Sequence, residues 1–258
     1  MHRKMKYLAI IQARCGSTRL PNKVLQDIYG VLAIERMLRR VSRSKLVDEF
    51  MVATTINPED LTIVKTVSGL GYRVFVGSSD DVLDRYYQAA KLIHPEYVIR
   101  LTADCPLLDW RLIDKAIETM KPESDDLYML TETYPDGEDI EIVRFEALEK
   151  AWKEARMASE REHVTIYIKN HPEIFKLQDF VYEGESMNAE RWTLDEAEDL
   201  DLIRGVYKHF APDDDFTIAD IYSFLHNTEE GKRVWELNRA YARNEGLAKS
   251  LREDHVVL

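Results

Sequence analysis

Short apolar runs alternate with amphipathic stretches through the first hundred residues. Tyr7-Leu8-Ala9-Ile10-Ile11 has the length and character of a buried strand. Ile34, Met37, Leu38 and Val41 then recur at helical spacing, predicting a helix over 31–41. Residues 50–54 read as a second buried strand. Asn57-Pro58 opens a helix to Ser68, with Pro just inside its start and Gly69 and Gly71 at and past its end. Residues 72–76 predict a strand, 81–93 a helix and 97–101 a further strand. Strand and helix alternate four times, which predicts an α/β fold, a mainly parallel sheet with helices on both faces. Such sheets bind ligands beyond the carboxyl ends of their strands.

Beyond residue 105 the pattern changes. Asp109 caps an expected helix over 110–120, and Leu127-Tyr128-Met129-Leu130 is strand-like. A turn at Tyr134-Pro135-Asp136-Gly137-Glu138-Asp139 passes into an alternating strand, with Ile140, Ile142 and Val143 set against Glu141 and Arg144. Helices are expected over 145–158 and 196–209, the latter capped by Thr193 or Asp195. The tail reads as two helices, one with Ile221, Phe224 and Leu225 on its apolar face. The other lies within 228–252, with Val234, Trp235, Leu237 and Tyr241 as its stripe. This organisation predicts a main domain over 1–210 and a helical extension over 211–258. Residues 125–185 look like an inserted β arm within the main domain.

A chain of 258 residues is long enough for one α/β domain with a full core. A net charge of −12 and a pI near 5.1 argue against nucleic acid as a partner. The charge is unevenly placed. Residues 1–45 hold 11 Lys and Arg against 2 Asp and Glu, a net of +9, so the remainder carries −21. A solvated helix face and a leader account for Arg3, Lys4, Lys6, Arg39, Arg40 and Arg43, but not for Arg14, Arg19 and Lys23, which share one loop with Gly16 and Ser17. Two cysteines, Cys15 and Cys105, fit a reducing compartment. No apolar run reaches the length of a membrane span, and the first residues are too polar and too few for a secretory signal. A cytoplasmic protein without membrane contact is expected.

The loop 14–23 holds three cations, two hydroxyls and a glycine in ten residues. That mixture suits a polyanion, because Gly lets backbone N–H groups approach oxygens while Arg and Lys neutralise them. Neither Gly-x-x-x-x-Gly-Lys-Ser/Thr nor Gly-x-Gly-x-x-Gly is present, so this is a different cradle. Asp104 stands just past a buried strand that Pro106 ends. It either caps the loop or serves as a magnesium ligand, since that ion takes one or two carboxylates with phosphate oxygens and water. Arg85 is either a solvated helical arginine or turned into a pocket. Asp136, Glu138, Asp139 and Glu141 are either an exposed turn or contacts to a substrate, Glu141 foremost. Arg161 with His163 suits an anion, unless His163 merely caps or packs.

The run Ala13-Arg14-Cys15-Gly16-Ser17-Thr18-Arg19-Leu20-Pro21-Asn22-Lys23 resembles the signature loop of the CMP-sugar synthetases. These are cytidylyltransferases of the 3-deoxy-manno-octulosonate and acylneuraminate type, and the chain is most similar to their spore-coat polysaccharide (SpsF-like) branch. Later stretches match in order: Arg100 to Leu107, Pro135-Asp136-Gly137 onward, Arg161-Glu162-His163-Val164-Thr165, and Arg191-Trp192-Thr193-Leu194-Asp195 through Leu200. The resemblance spans about residues 6 to 200. It implies a Rossmann-like, nucleotide-diphospho-sugar-transferase-like fold, a homodimer, and transfer of CMP from CTP to an acceptor with release of pyrophosphate. It assigns Arg14, Arg19 and Lys23 to the triphosphate, with Gly16 and Ser17 giving N–H and hydroxyl contacts, places Ala13 among the nucleotide-binding residues, and sets Arg85 and Thr102 beside the nucleoside. Asp104 and Asp195 would hold Mg²⁺, with Arg14, Lys23 and Asp104 as the catalytic set. Glu141, Arg161, His163 and Arg191 would face a small anionic acceptor, a sugar acid, phosphate or phosphonate. Cys15, Asn22 and Ile166 depart from the family pattern. Asn tolerates the left-handed backbone, so the turn at Asn22 can survive. Two other readings stand beside this one: a sugar-nucleotide-dependent glycosyltransferase, which would release a nucleoside diphosphate, and a nucleotide-binding protein without turnover.

Overall fold

The first strand, β1 (Tyr7–Gln12), is buried over its first five residues, as a continuous apolar run requires when both faces of a sheet are covered. A small hairpin of β2 (Asp27–Ile28) and β3 (Val31–Leu32) leads into α1 (Ala33–Val41). Strand β4 (Glu49–Thr55) pairs parallel with β1. A turn of 3-10 helix at Pro58–Asp60 then opens α2 (Leu61–Gly69), and β5 (Arg73–Gly77) pairs parallel with β4. After α3 (Val82–Ile93), β6 (Tyr97–Thr102) joins the other side of β1. The connection therefore reverses direction between β1 and β6, and their ends lie level, with Gln12 opposite Thr102. This is the switch point where α/β sheets open a crevice. The computed structural model describes residues 6–121, 124–131, 133–238 and 245–257.

Downstream of α4 (Trp110–Thr119), the segment read from the sequence as an arm adds three strands to the same sheet. These are β7 (Leu127–Leu130), β8 (Glu141–Arg144) and β9 (Leu177–Phe180), with α5 (Phe145–Glu154), α6 (Ala158–Glu162) and α7 (Ile166–Asn170) between β8 and β9. The seven-stranded order is β5-β4-β1-β6-β8-β7-β9, and β8 runs antiparallel to both its neighbours. That reversal has a consequence for the site. An antiparallel strand brings its first residue to the carboxyl end of β6, so Glu141 stands opposite Arg100.

Helices α1, α2 and α4 pack one face of the sheet together with α8 (Ala197–Phe210) and α9 (Ile218–Asn227). Helices α3, α5 and α7 pack the other. The tail continues through α10 (Glu229–Asn238) and α11 (Glu245–Arg252), so it holds three described helices where two were expected. Gly231 permits the α9–α10 contact, because a Cβ there would sit 2.0 Å from the Phe224 carbonyl oxygen. Val234 is buried as expected, Leu237 is half exposed, and Tyr241 lies outside the described residues. Among the described residues, no helix is long and apolar enough to cross a membrane.

Arg40, expected on a solvated helix face, is instead 1 % exposed. Its guanidinium lies over the Phe216 ring and donates to four carbonyls: Leu107, Leu108, Asp214 and Phe216. It thereby ties the loop after β6 to the tail. Arg40→Met would leave those buried acceptors without donors and should cost on the order of 3–5 kcal/mol. Thermal unfolding of the purified variant should therefore show a Tm lower by several degrees or more.

Candidate active site

The cradle after β1 is anchored from below by a carboxylate. Buried Asp60 accepts from the Cys15 N–H at 2.6 Å and from the Thr55 hydroxyl at 2.5 Å. The Cys15 carbonyl in turn accepts from the Ser17 and Asn22 N–H groups. Asn22 adopts the left-handed conformation (φ 55°) that its side chain tolerates. Cys15 is buried in this knot, and burial together with Asp60 pushes its thiol up to about 12. Cys105 is likewise buried and pushed well up. Both thiols sit in the buried, pKa-raising surroundings typical of packing cysteines.

Lys23, at the end of the cradle, bridges two acids from distant parts of the chain. Its Nζ lies 2.5 Å from Asp104 Oδ2 and 2.6 Å from Asp195 Oδ1. Burial works against this ammonium, but Asp104 and Asp195 outweigh it and raise the Lys23 pKa. Burial also opposes ionisation of Asp104. Lys23 and the Thr102 hydroxyl overcome that and hold its carboxyl below the usual range. The two acidic segments are joined through the backbone as well, since the Leu194 N–H donates to the Asp104 carbonyl at 2.7 Å.

Helix α8 is capped differently from expectation. Neither Thr193 nor Asp195 caps it; Asp199 reaches back to the Asp195 and Glu196 N–H groups, both at 2.7 Å. The Asp195 carboxylate is thereby left to face Lys23 and, at 3.1 Å, Arg19.

These groups line a cavity of about 290 Å³. A second cavity, of about 310 Å³, adjoins it, and the two share Arg100, Thr102, Asp104 and His163. One wall of the second cavity is Glu141 clamped between Arg100 (2.9 Å) and Lys169 (2.5 Å), with the Thr165 hydroxyl at 3.0 Å. Asp136 and Asp139 of the loop before β8 also line this cavity, with Thr193. Gly137 makes that loop possible. Its φ is +107°, and a Cβ there would sit 2.8 Å from the Trp192 backbone. His163 stands at the junction with its Nε2 buried and without a hydrogen-bond partner, and burial lowers its pKa.

A family model described as cytidylyltransferase matches residues 8–244. The chain belongs to the cytidylyltransferase family. It is 39% identical over 236 residues to an uncharacterised protein of Methanocaldococcus jannaschii, covering 91% of this chain and 95% of that one. It is 32% identical over 237 residues to the spore coat polysaccharide biosynthesis protein SpsF of Bacillus subtilis, covering 86% and 95%. Among solved structures, a cytidylyltransferase from Leptospira borgpetersenii superposes with a TM-score of 0.83 at 28% identity, over 93% of this chain and 100% of that one. The protein is thus a nucleotidyltransferase of mostly parallel α/β fold.

In this cytidylyltransferase, Ala13, Arg14, Gly16, Ser17, Arg19, Lys23, Arg85, Thr102, Asp104 and Asp195 all line the first cavity. Arg85 is not a solvated helical residue. It is 1 % exposed, donates to the Ser78 carbonyl at 2.7 Å, and has a buried Nε without a partner. Of the four residues expected at the acceptor, Glu141 and His163 line the second cavity. Arg161 does not. Its guanidinium is taken up by Asp81 and by the Trp152 carbonyl, which fastens α6 to α3. Arg191 lines neither cavity, for it is buried against Asp199 and lies 3.2 Å from Asp195. Arg100 and Lys169 were missed. Arg100 read as part of a buried strand, and only its facing partner Glu141 on an antiparallel neighbour reveals its role. Glu138, from the same acidic run, is fully buried and accepts from the Asp109 N–H, and burial raises its pKa.

Burial alone would raise the Glu141 pKa, but Lys169 and Arg100 bring it down to about 2. Its folded pKa lies below the unfolded value near 4.5, so its contribution to stability is present above pH 4.5 and disappears as pH falls through about 2. Glu141→Gln should cost on the order of 3 kcal/mol at pH 7, a deficit that shrinks below pH 4.5. Urea unfolding of both proteins from pH 7 to 3 measures this.

Proposed function

We propose that the protein transfers CMP from CTP to a small anionic acceptor and releases pyrophosphate. The observation that carries this reading is the pair of adjoining cavities that share Asp104, with the cationic cradle in one and the Arg100-Glu141-Lys169 wall in the other. The acceptor oxygen bonds to the α-phosphorus while the bond from that phosphorus to the bridging oxygen of pyrophosphate breaks opposite it. Such a reaction needs alignment and charge neutralisation more than covalent help. Arg14, Arg19 and Lys23 hold the triphosphate, Gly16 and Ser17 offer N–H and hydroxyl donors, and Arg85 and Thr102 flank the nucleoside. Arg100, Lys169 and His163 hold the acceptor anion, while Glu141, Asp136 and Thr193 accept from its hydroxyls.

The two carboxylates fit a magnesium ion. Asp104 and Asp195 converge on one point, where the Lys23 ammonium sits. Among the described residues no group of three or more His, Cys, Asp and Glu could hold a metal ion. A site of two acids suits the cation that prefers to complete its shell with phosphate oxygens and water. When bound it would supply charge stabilisation at the phosphate oxygens. The likeness to the spore coat polysaccharide biosynthesis protein SpsF supports an acceptor from surface-polysaccharide synthesis, and a cytoplasmic location is proposed from the two free cysteines. Residues 125–185 are proposed to carry the acceptor side of the domain and a homodimer contact, with 211–258 as a C-terminal helical extension packed on the same core.

The test is pyrophosphate release with each of the four nucleoside triphosphates and Mg²⁺, against a panel of sugar acids, sugar phosphates and phosphonates. Release with CTP and one acceptor class is expected. Binding of CTP without release across the panel would favour a nucleotide-binding protein without turnover.

A further inference from the structure

Asp195 is held from behind as well as from the cavity. Its Oδ2 accepts from Arg191 Nη2 at 3.2 Å, and Arg191 is itself fixed by a close ion pair with Asp199 Oδ1. Asp199 is fully buried. Its Oδ2 takes the Asp195 and Glu196 N–H groups, and its Oδ1 takes a second donor, Asn238 Nδ2, at 2.7 Å. A carboxylate offers about four acceptor sites, and these four donors use them. Asn238 ends α10, 39 residues along the chain, and is 1 % exposed. An unbroken line of hydrogen bonds therefore runs from the tail through Asp199 and Arg191 to the carboxylate that meets Lys23.

We propose that Asn238 is a positioning residue for the transfer step, fixing the Asp195 carboxylate through Asp199 and Arg191. This rests on the reading of Asp195 as a cation-holding acid. Removing the Asn238 donor leaves Arg191, among the described residues, as the one side chain on Asp199 Oδ1 and lets the pair settle differently, which moves the acid at the cavity. Trp235, on the same helix, supplies a control. It donates to Glu190, which also takes the Trp192 indole and pairs with His226. Trp235→Phe removes a tail anchor and leaves the four donors to Asp199 in place.

The experiment measures Mn²⁺ binding in the presence of CTP, from the free-ion electron paramagnetic resonance signal, for the full chain and for Asp195→Asn, Asn238→Leu and Trp235→Phe. Steady-state kcat and KM for CTP are measured alongside. Asp195→Asn should weaken Mn²⁺ binding by about tenfold or more, and Asn238→Leu by several-fold, less than a direct outer partner of a metal-holding acid because it acts through Asp199 and Arg191. Asn238→Leu should also lower kcat while leaving KM for CTP within about twofold, whereas Trp235→Phe should lower Tm and leave Mn²⁺ affinity unchanged. Weakened binding in Asp195→Asn with wild-type affinity in Asn238→Leu would overturn the inference alone. Equal weakening in Asn238→Leu and Trp235→Phe would also overturn it, since general tail packing would then be responsible. Wild-type affinity in Asp195→Asn would remove the reading of that acid on which the inference rests. If Asn238→Leu fails to fold, Asn238→Ser is measured by the same criteria.

Discussion

Asp104→Asn should fold normally and lose at least about a thousandfold in kcat. The carboxylate lies on the wall common to both cavities, and among the described residues it is the one acid that lines both. Its ionised form is secured by Lys23 and the Thr102 hydroxyl against the cost of burial. The amide keeps the volume and loses the charge, and the backbone bond from Leu194 to the Asp104 carbonyl is untouched by the change. CTP affinity should therefore fall far less than turnover, because the cradle cations remain. Near-normal turnover in a folded Asp104→Asn protein would contradict the assignment.

Lys23→Met should damage both binding and turnover. The ammonium is the only group in hydrogen-bond contact with both Asp104 and Asp195 among the described residues, and without it two acids face each other across the cavity floor. Like charges at that separation repel, and they would repel an incoming triphosphate as well. KM for CTP should rise by about tenfold or more and kcat should fall by about a hundredfold or more. Because Lys23 and Asp104 touch, their effects should not multiply. The double variant Lys23→Met/Asp104→Asn should lose much less than the product of the single losses. Full multiplicativity in steady-state assays would mean that the two act independently.

The lining of the first cavity was legible in the sequence because its residues are local. Arg14 to Lys23 lie on one loop, and Asp104 follows a strand whose apolar run marks its own end. The lining of the second cavity was less legible, because its contacts are made by topology. An arginine on a strand and one on a helix look alike until their partners are known. Arg161 finds Asp81 and Arg191 finds Asp199, so both are held away from the second cavity. Arg100 gained its place only through the antiparallel β8, and Lys169 only through the turn of α7 that aims it at Glu141. The fold shows the same division. The alternating βα units carry strong periodic signals, whereas β9 (Leu-Gln-Asp-Phe) and the β2–β3 hairpin are too short for periodicity to register. Arg40 was misread because helical spacing on α1 places it beside exposed arginines, while the four carbonyls that bury it belong to segments 67 to 176 residues away.

The most direct test of the account follows phosphorus through the reaction. With CTP labelled at the α-phosphate, Mg²⁺ and an active acceptor, the label should leave CTP for the acceptor product. Label at the γ-phosphate should appear in pyrophosphate, one for one. Label from the α-phosphate recovered in a nucleoside diphosphate, with no label in the acceptor product, would contradict CMP transfer.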